Sequence, residues 1–145
     1  MLDYGHWENQ TGIDFIPRLD DYLGFIYRIS NKTTGEYYIG RKQFWNKRGK
    51  YYYYNDEWRT YTSSSRPLNL FIDEHGTDSL KFEILAVFTS KSAIRYAEAA
   101  GIIWSRSYED RDRGLNWSFE GCKGTLKFEL TDEEQLKNLY EKTTN

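Results

Sequence analysis

A chain of 145 residues carrying a net charge of −2 suits one compact domain with a core of its own, and excludes a protein that coats nucleic acid through bulk positive charge. A single cysteine, Cys122, excludes an internal disulfide and a cysteine zinc cluster, and two histidines argue against a histidine-rich metal site. No apolar run approaches the length of about 18 residues that a membrane span needs, and no leader pattern is visible, so a protein of a reducing cytoplasm is expected.

The charge is unevenly spread. Residues 41–50 (RKQFWNKRGK) hold five positive charges and no acid, and Arg59 and Arg66 follow. The acids gather instead near the start (Asp3, Glu8, Asp14, Asp20, Asp21) and in the tail (Glu129, Asp132, Glu133, Glu134). A basic patch on a weakly acidic chain is compatible with a localised phosphate site. The 13 tyrosines suit both a core and an adhesive surface, because each ring offers apolar area and a hydroxyl.

In chain order, residues 1–23 read as an acidic arm with few regular elements. Residues 24–30 (GFIYRIS) and 36–40 (EYYIG) alternate as strands around the turn chemistry of NKTTGE, which predicts a β-hairpin. A basic, aromatic stretch continues to about Asn55; the YYYY run at 51–54 has high β propensity, with pairing or base stacking both open. A short helix is expected over 66–75, stopped by Gly76, with His75 at its end. Residues 80–88 (LKFEILAVF) predict a central strand. Ser90 or Ser92 can cap a helix to about Ser107, with Ala93, Ile94, Ala97, Gly101 and Trp104 on its buried face. After a charged loop at 108–114, Thr131 and Glu134 form a capping-box pattern that opens a last helix. The order predicts an α+β domain over 24–121, a three-stranded antiparallel sheet with flanking helices, preceded by the arm and followed by a tail, 122–145, with a short helix.

The hairpin carries GFIY (Gly24 to Tyr27) and YIG (Tyr38 to Gly40), with Tyr27 and Tyr38 eleven residues apart. These resemble the two halves of the GIY-YIG nuclease signature. GTDSLKFEIL is similar to a strand entry of that family, Glu98 lies in YAEAA where the family keeps its catalytic acid, and Asn116 in GLNWS matches an asparagine often found after that helix. YIGRKQFW followed by NDEWRTYTSSS most resembles the Seg-type homing endonucleases of T-even-like phages, from Gly24 to Gly121.

The resemblance implies a metal-dependent DNA endonuclease. Glu98 would hold a single Mg²⁺ or Mn²⁺, which suits an ion that keeps its waters and takes few carboxylates. Tyr27 would act as general base or position the attacking water, with a neighbouring cation (Arg41, Lys42 or Arg48) favouring the phenolate. Tyr38 would orient Tyr27 or the phosphate; whether the two rings meet depends on the register of the hairpin. The catalytic cation is Arg48, ten residues after Tyr38, or Lys42, which follows YIG closely. Arg41, Lys42, Lys47, Arg59, Tyr61, Ser63 and Ser64 are expected on DNA, with Gly40 and Asn116 in support. A phage homing or genome-targeting role follows, with specificity from the domain's loops, the arm, a homodimer or a partner protein. The rival reading is an inactive nucleic-acid- or protein-binding regulator on the same scaffold.

Overall fold

The structure, a computed structural model, describes residues 3–116, 126 and 128–144; Cys122 lies outside them. The two predicted strands form β2 (Gly24–Asn31) and β3 (Tyr37–Gln43), paired antiparallel around a turn in which Asn31 Oδ1 accepts from the Thr33 and Thr34 amides. The predicted central strand is β6 (Leu80–Phe88), antiparallel to β2.

The sheet is not the three-stranded antiparallel one expected. A fourth strand, β1 (Glu8–Asn9), runs parallel to β6 and makes the sheet mixed, in the order β1-β6-β2-β3. Two residues are too few to leave an alternation pattern in the sequence. The same N-terminal segment drives Trp7 and Phe15 into the core, where each is nearly fully buried.

The sheet is packed on both faces. One face carries Phe25, Tyr27 and Ile29 from β2 against Trp7, Phe15, Trp58 and Leu68, the last from α1 (Arg66–His75). The other carries Ile26 and Ile39 against α2 (Lys91–Ser105) through Ala93, Ile94 and Ala97, and against α3 (Leu130–Thr144) through Leu139. Between Ile26 and Tyr27 the β2–β6 register slips, so Leu85 and Ala86 both join the helix-side core.

The helices start where side chains satisfy their first amides. Ser65 Oγ accepts from Leu68 N–H in α1, and Ser90 Oγ from Ala93 N–H in α2. In α3 the expected Thr131–Glu134 box gives way to one two positions earlier, where Asp132 reaches back to the Glu129 amide at 2.8 Å. Asp132 also accepts from the Thr89 amide and hydroxyl at 2.8 and 2.6 Å, and Asn138 donates to Leu85 O at 2.7 Å. The tail helix is thus bonded into the sheet.

Residues 44–60 are tied to the core at Phe44 and Trp58. β4 (Trp45–Arg48) and β5 (Tyr51–Tyr54) form a two-stranded ribbon outside the main sheet, followed by a 3₁₀ turn at Asp56–Thr60. Gly49 takes φ 62° at the first of the two hairpin positions, where glycine adopts a conformation that side chains resist. This pairing answers the open question of the YYYY run: it is a ribbon strand.

Candidate active site

The hairpin register decides which tyrosines meet. Tyr27 stands opposite Gly40, and Tyr38 opposite Ile29, so both phenols rise from the same face of the sheet, ring centroids 6.1 Å apart. Tyr61, delivered by the chain leaving the 3₁₀ turn, brings a third ring to 6.0 Å from Tyr27. Lys42, two positions beyond Gly40 on that face, lays its Nζ 4.4 Å over the Tyr61 ring. Ser63 and Ser64 complete the cluster: Ser63 lies beside Tyr27, and Ser64 beside Tyr38 and Tyr61, each favouring the phenolate of its neighbour. Ser63 adopts φ 85°, a strained conformation for a side-chain-bearing residue, costing on the order of 1 kcal/mol.

Glu98 comes from the other face. It sits on α2, and its Oε1 accepts from Arg41 Nη1 at 3.0 Å; Arg41 lies opposite Ile26 and so points to the helix side. β3 is the edge strand, and Gly40 opens the edge. The Tyr27 hydroxyl rests against the Gly40 backbone so closely that a Cβ there would overlap it. The Glu98 charge accordingly bears on Tyr27, Tyr38 and Tyr61 together. Phenols on one face and a carboxylate on the other thus lie near enough for one charge to raise all three phenol pKa values.

The family model described as "Putative endonuclease segE, GIY-YIG domain" matches residues 7–116. The chain belongs to the GIY-YIG endonuclease family, of Seg type. No curated protein and no solved structure gives a significant match. The matched span opens at Trp7, and the GIY-YIG tyrosine Tyr27 packs against that indole, ring centroids 5.1 Å apart. Nothing in the local sequence around Trp7 signals this contact; it exists because β1 docks on β6.

Several expected members of the GIY-YIG site stand elsewhere. Arg48 and Lys47 lie on the ribbon, over the rings of Tyr53 (5.4 Å) and Tyr52 (5.9 Å), instead of among the three phenols. The cations beside the cluster are Arg41 and Lys42. Arg59 donates to Asp3 O at 2.9 Å and stacks 4.7 Å from the Trp58 ring, fastening the N-terminal segment. His75 closes α1, 4.8 Å from Phe71.

Asn116 pairs with the site's edge strand. Its Oδ1 accepts from Ile39 N–H at 2.8 Å and its Nδ2 donates to Ile39 O at 2.7 Å, imitating one step of a strand ladder between Tyr38 and Gly40. The asparagine is buried, so Asn116→Ala leaves two backbone groups without partners. A loss of about 1–3 kcal/mol is expected in urea unfolding. Asn116→Asp, which cannot donate, should lose as much.

The expectation that a cation would draw Tyr27 toward phenolate is reversed. Tyr27 is 1% exposed, and burial pushes its pKa well above 10, followed by the fields of Tyr38, Tyr61 and Glu98, with Ser63 opposing. Burial likewise raises Tyr38 and Tyr61, with Arg41 a minor opposing influence on each. All three are neutral phenols in the resting protein. Their raised pKa values stabilise the fold below about pH 10, where unfolded tyrosine is also neutral, and that stability is lost as pH rises further. Melting temperature should therefore fall as pH rises above about 10, and less steeply in Tyr27→Phe.

Among the described residues no group of three or more His, Cys, Asp or Glu could hold an ion. A metal here would rest on Glu98, with phenol, phosphate and water oxygens around it. Hard oxygens with one carboxylate are what Mg²⁺ accepts, so the donor set fits. Among the described residues no helix is long and apolar enough to cross a membrane.

Proposed function

We propose that this chain is a metal-dependent DNA endonuclease that hydrolyses phosphodiester bonds at the Gly40 edge, in the service of phage homing or genome targeting. The observation that carries the reading is the cluster of Tyr27, Tyr38 and Tyr61 on one face of β3, within the field of Glu98 and beside Arg41 and Lys42. Glu98 would hold one Mg²⁺ or Mn²⁺, and Arg41 holds Glu98 in place. When bound, the ion supplies Lewis acidity to the phosphate and a positive field in a site where burial disfavours phenolate.

The remaining work falls to the chain. Tyr27 Oη, a neutral phenol, positions the attacking water, with Ser63 and Tyr61 as its polar neighbours. Tyr38, beside Ser64, orients the phosphate. Lys42 is the cation of choice over Arg48, because it already stands on the phenol face, within reach of an oxyanion bound there. The packed aromatic wall of Trp7, Phe25 and Phe82 behind Tyr27 keeps bulk water from the back of the ring.

Incubation of supercoiled plasmid with the protein and Mg²⁺ tests the reading. Nicked or linear product is expected, absent in EDTA and with Glu98→Ala. The alternative, an inactive binding regulator, draws on one observation: the Glu98 carboxylate is already paired with Arg41 at 3.0 Å. Duplex binding without any cleavage in either metal would favour it.

A further inference from the structure

The β4–β5 ribbon takes no part in the chemistry above, yet it is built as a contact surface. We infer that it is the DNA-reading arm of this enzyme, entering the major groove of duplex DNA turn-first. This rests on the nuclease reading for the identity of the partner.

The base of the ribbon is fixed. Phe44 N–H donates to Leu23 O at 2.8 Å, Asn55 N–H to Phe44 O at 3.1 Å, and the indole of buried Trp58 to Tyr54 Oη at 2.9 Å. Beyond that the ribbon stands in solvent. All four residues of β5 are exposed, Tyr51 at 70%, as are Lys47, Arg48, Gly49 and Lys50. A two-stranded ribbon is marginal by itself, and a run of exposed aromatic rings marks an interaction surface.

Its chemistry selects the partner. From Arg41 to Asn55 there is no acid, although the whole chain is net negative. The register puts Lys47 and Tyr52 on one face and Arg48, Tyr51 and Tyr53 on the other, so both faces are cationic and aromatic. A surface for docking one protein face would differ between its two sides. A body with cations on both faces suits a cleft with two anionic walls. Lys47, Arg48 and Lys50 each stand 5.4–5.9 Å over a tyrosine ring, which holds the charged heads along the ribbon. A ribbon with its side chains is roughly 10 Å thick, and the major groove is about 12 Å wide between its phosphate rows. The turn residues Gly49 and Lys50 would then meet base edges while Lys47 and Arg48 meet opposite phosphates.

Fluorescence anisotropy of a labelled duplex in EDTA tests this without chemistry. Lys47→Ala/Arg48→Ala/Lys50→Ala is expected to weaken binding at least about tenfold and to reduce the slope of log affinity against log salt by about 2, one for each phosphate contact of Lys47 and Arg48. A variant of equal charge, Lys32→Ala/Lys91→Ala/Arg111→Ala, all exposed, should bind as the wild type does. Methylating guanine N7, which lies in the major groove, should weaken the wild type and not the ribbon variant. Equal losses in the two triple variants, indifference to N7 methylation, or an effect confined to single-stranded DNA would overturn the proposal. Because cleavage is not read, a wild type that binds through the ribbon but never cuts would leave this inference standing and remove the nuclease reading instead.

Discussion

Glu98→Ala is expected to lower the single-turnover cleavage rate at least about 1,000-fold, because the site then loses the carboxylate that would fix its metal, an effect worth several kcal/mol of transition-state stabilisation. Glu98→Gln should be equally slow: it can still accept from Arg41 but has no charge to hold a dication. The fold should survive both. The Arg41–Glu98 pair is 3.0 Å long and partly open to solvent, with 28% and 17% of the side chains exposed, so its removal should cost no more than about 1 kcal/mol. Rate and melting temperature measured on the same preparations separate the two effects. A Glu98→Ala protein that cuts at the wild-type rate would remove Glu98 from the chemistry.

Gly40→Ala is expected to damage both stability and rate through one methyl group. The added Cβ would overlap the hydroxyl and Cζ of Tyr27, a ring hemmed in by Trp7 at 5.1 Å and Tyr61 at 6.0 Å. With no space behind it, the ring can yield only by shifting the hairpin or its neighbours. Overpacking of this kind costs about 1–3 kcal/mol. Displacing the Tyr27 hydroxyl by even about 1 Å should slow cleavage on the order of 100-fold. Urea unfolding and single-turnover kinetics read the two losses. An alanine variant with the wild-type midpoint and rate would mean that the Tyr27 hydroxyl does not lie against this backbone.

The parts of the fold that repeat were legible in the sequence. Alternation gave away β2, β3 and β6, Gly76 marked the end of α1, and a serine cap at 90 or 92 marked the start of α2. Elements held by long-range contacts were not. β1 is two residues whose partner lies 75 positions away in Glu83, and no local pattern encodes such a pairing. The ribbon was hidden because Tyr51 to Tyr54 alternate nothing: a strand exposed on both faces has no apolar side to reveal. At the candidate site, the paired motifs pointed to two tyrosines, and the hairpin register puts Tyr27 and Tyr38 on one face. Spacing did not show that Arg48 stands apart from the phenols, since ten residues beyond Tyr38 the chain has already turned out along the ribbon. The protonation of Tyr27 was misjudged for the same kind of reason: its cations were visible in sequence, and its burial was not.

A double-mutant cycle measures the convergence of phenol and carboxylate most directly. Single-turnover cleavage of one duplex in Mg²⁺ would be compared for the wild type, Tyr27→Phe, Glu98→Ala and the double variant. If the two groups act on one phosphate, the double variant is no slower than the slower single one. Losses that multiply in full, or a single variant as fast as the wild type, would contradict a shared site across the Gly40 edge.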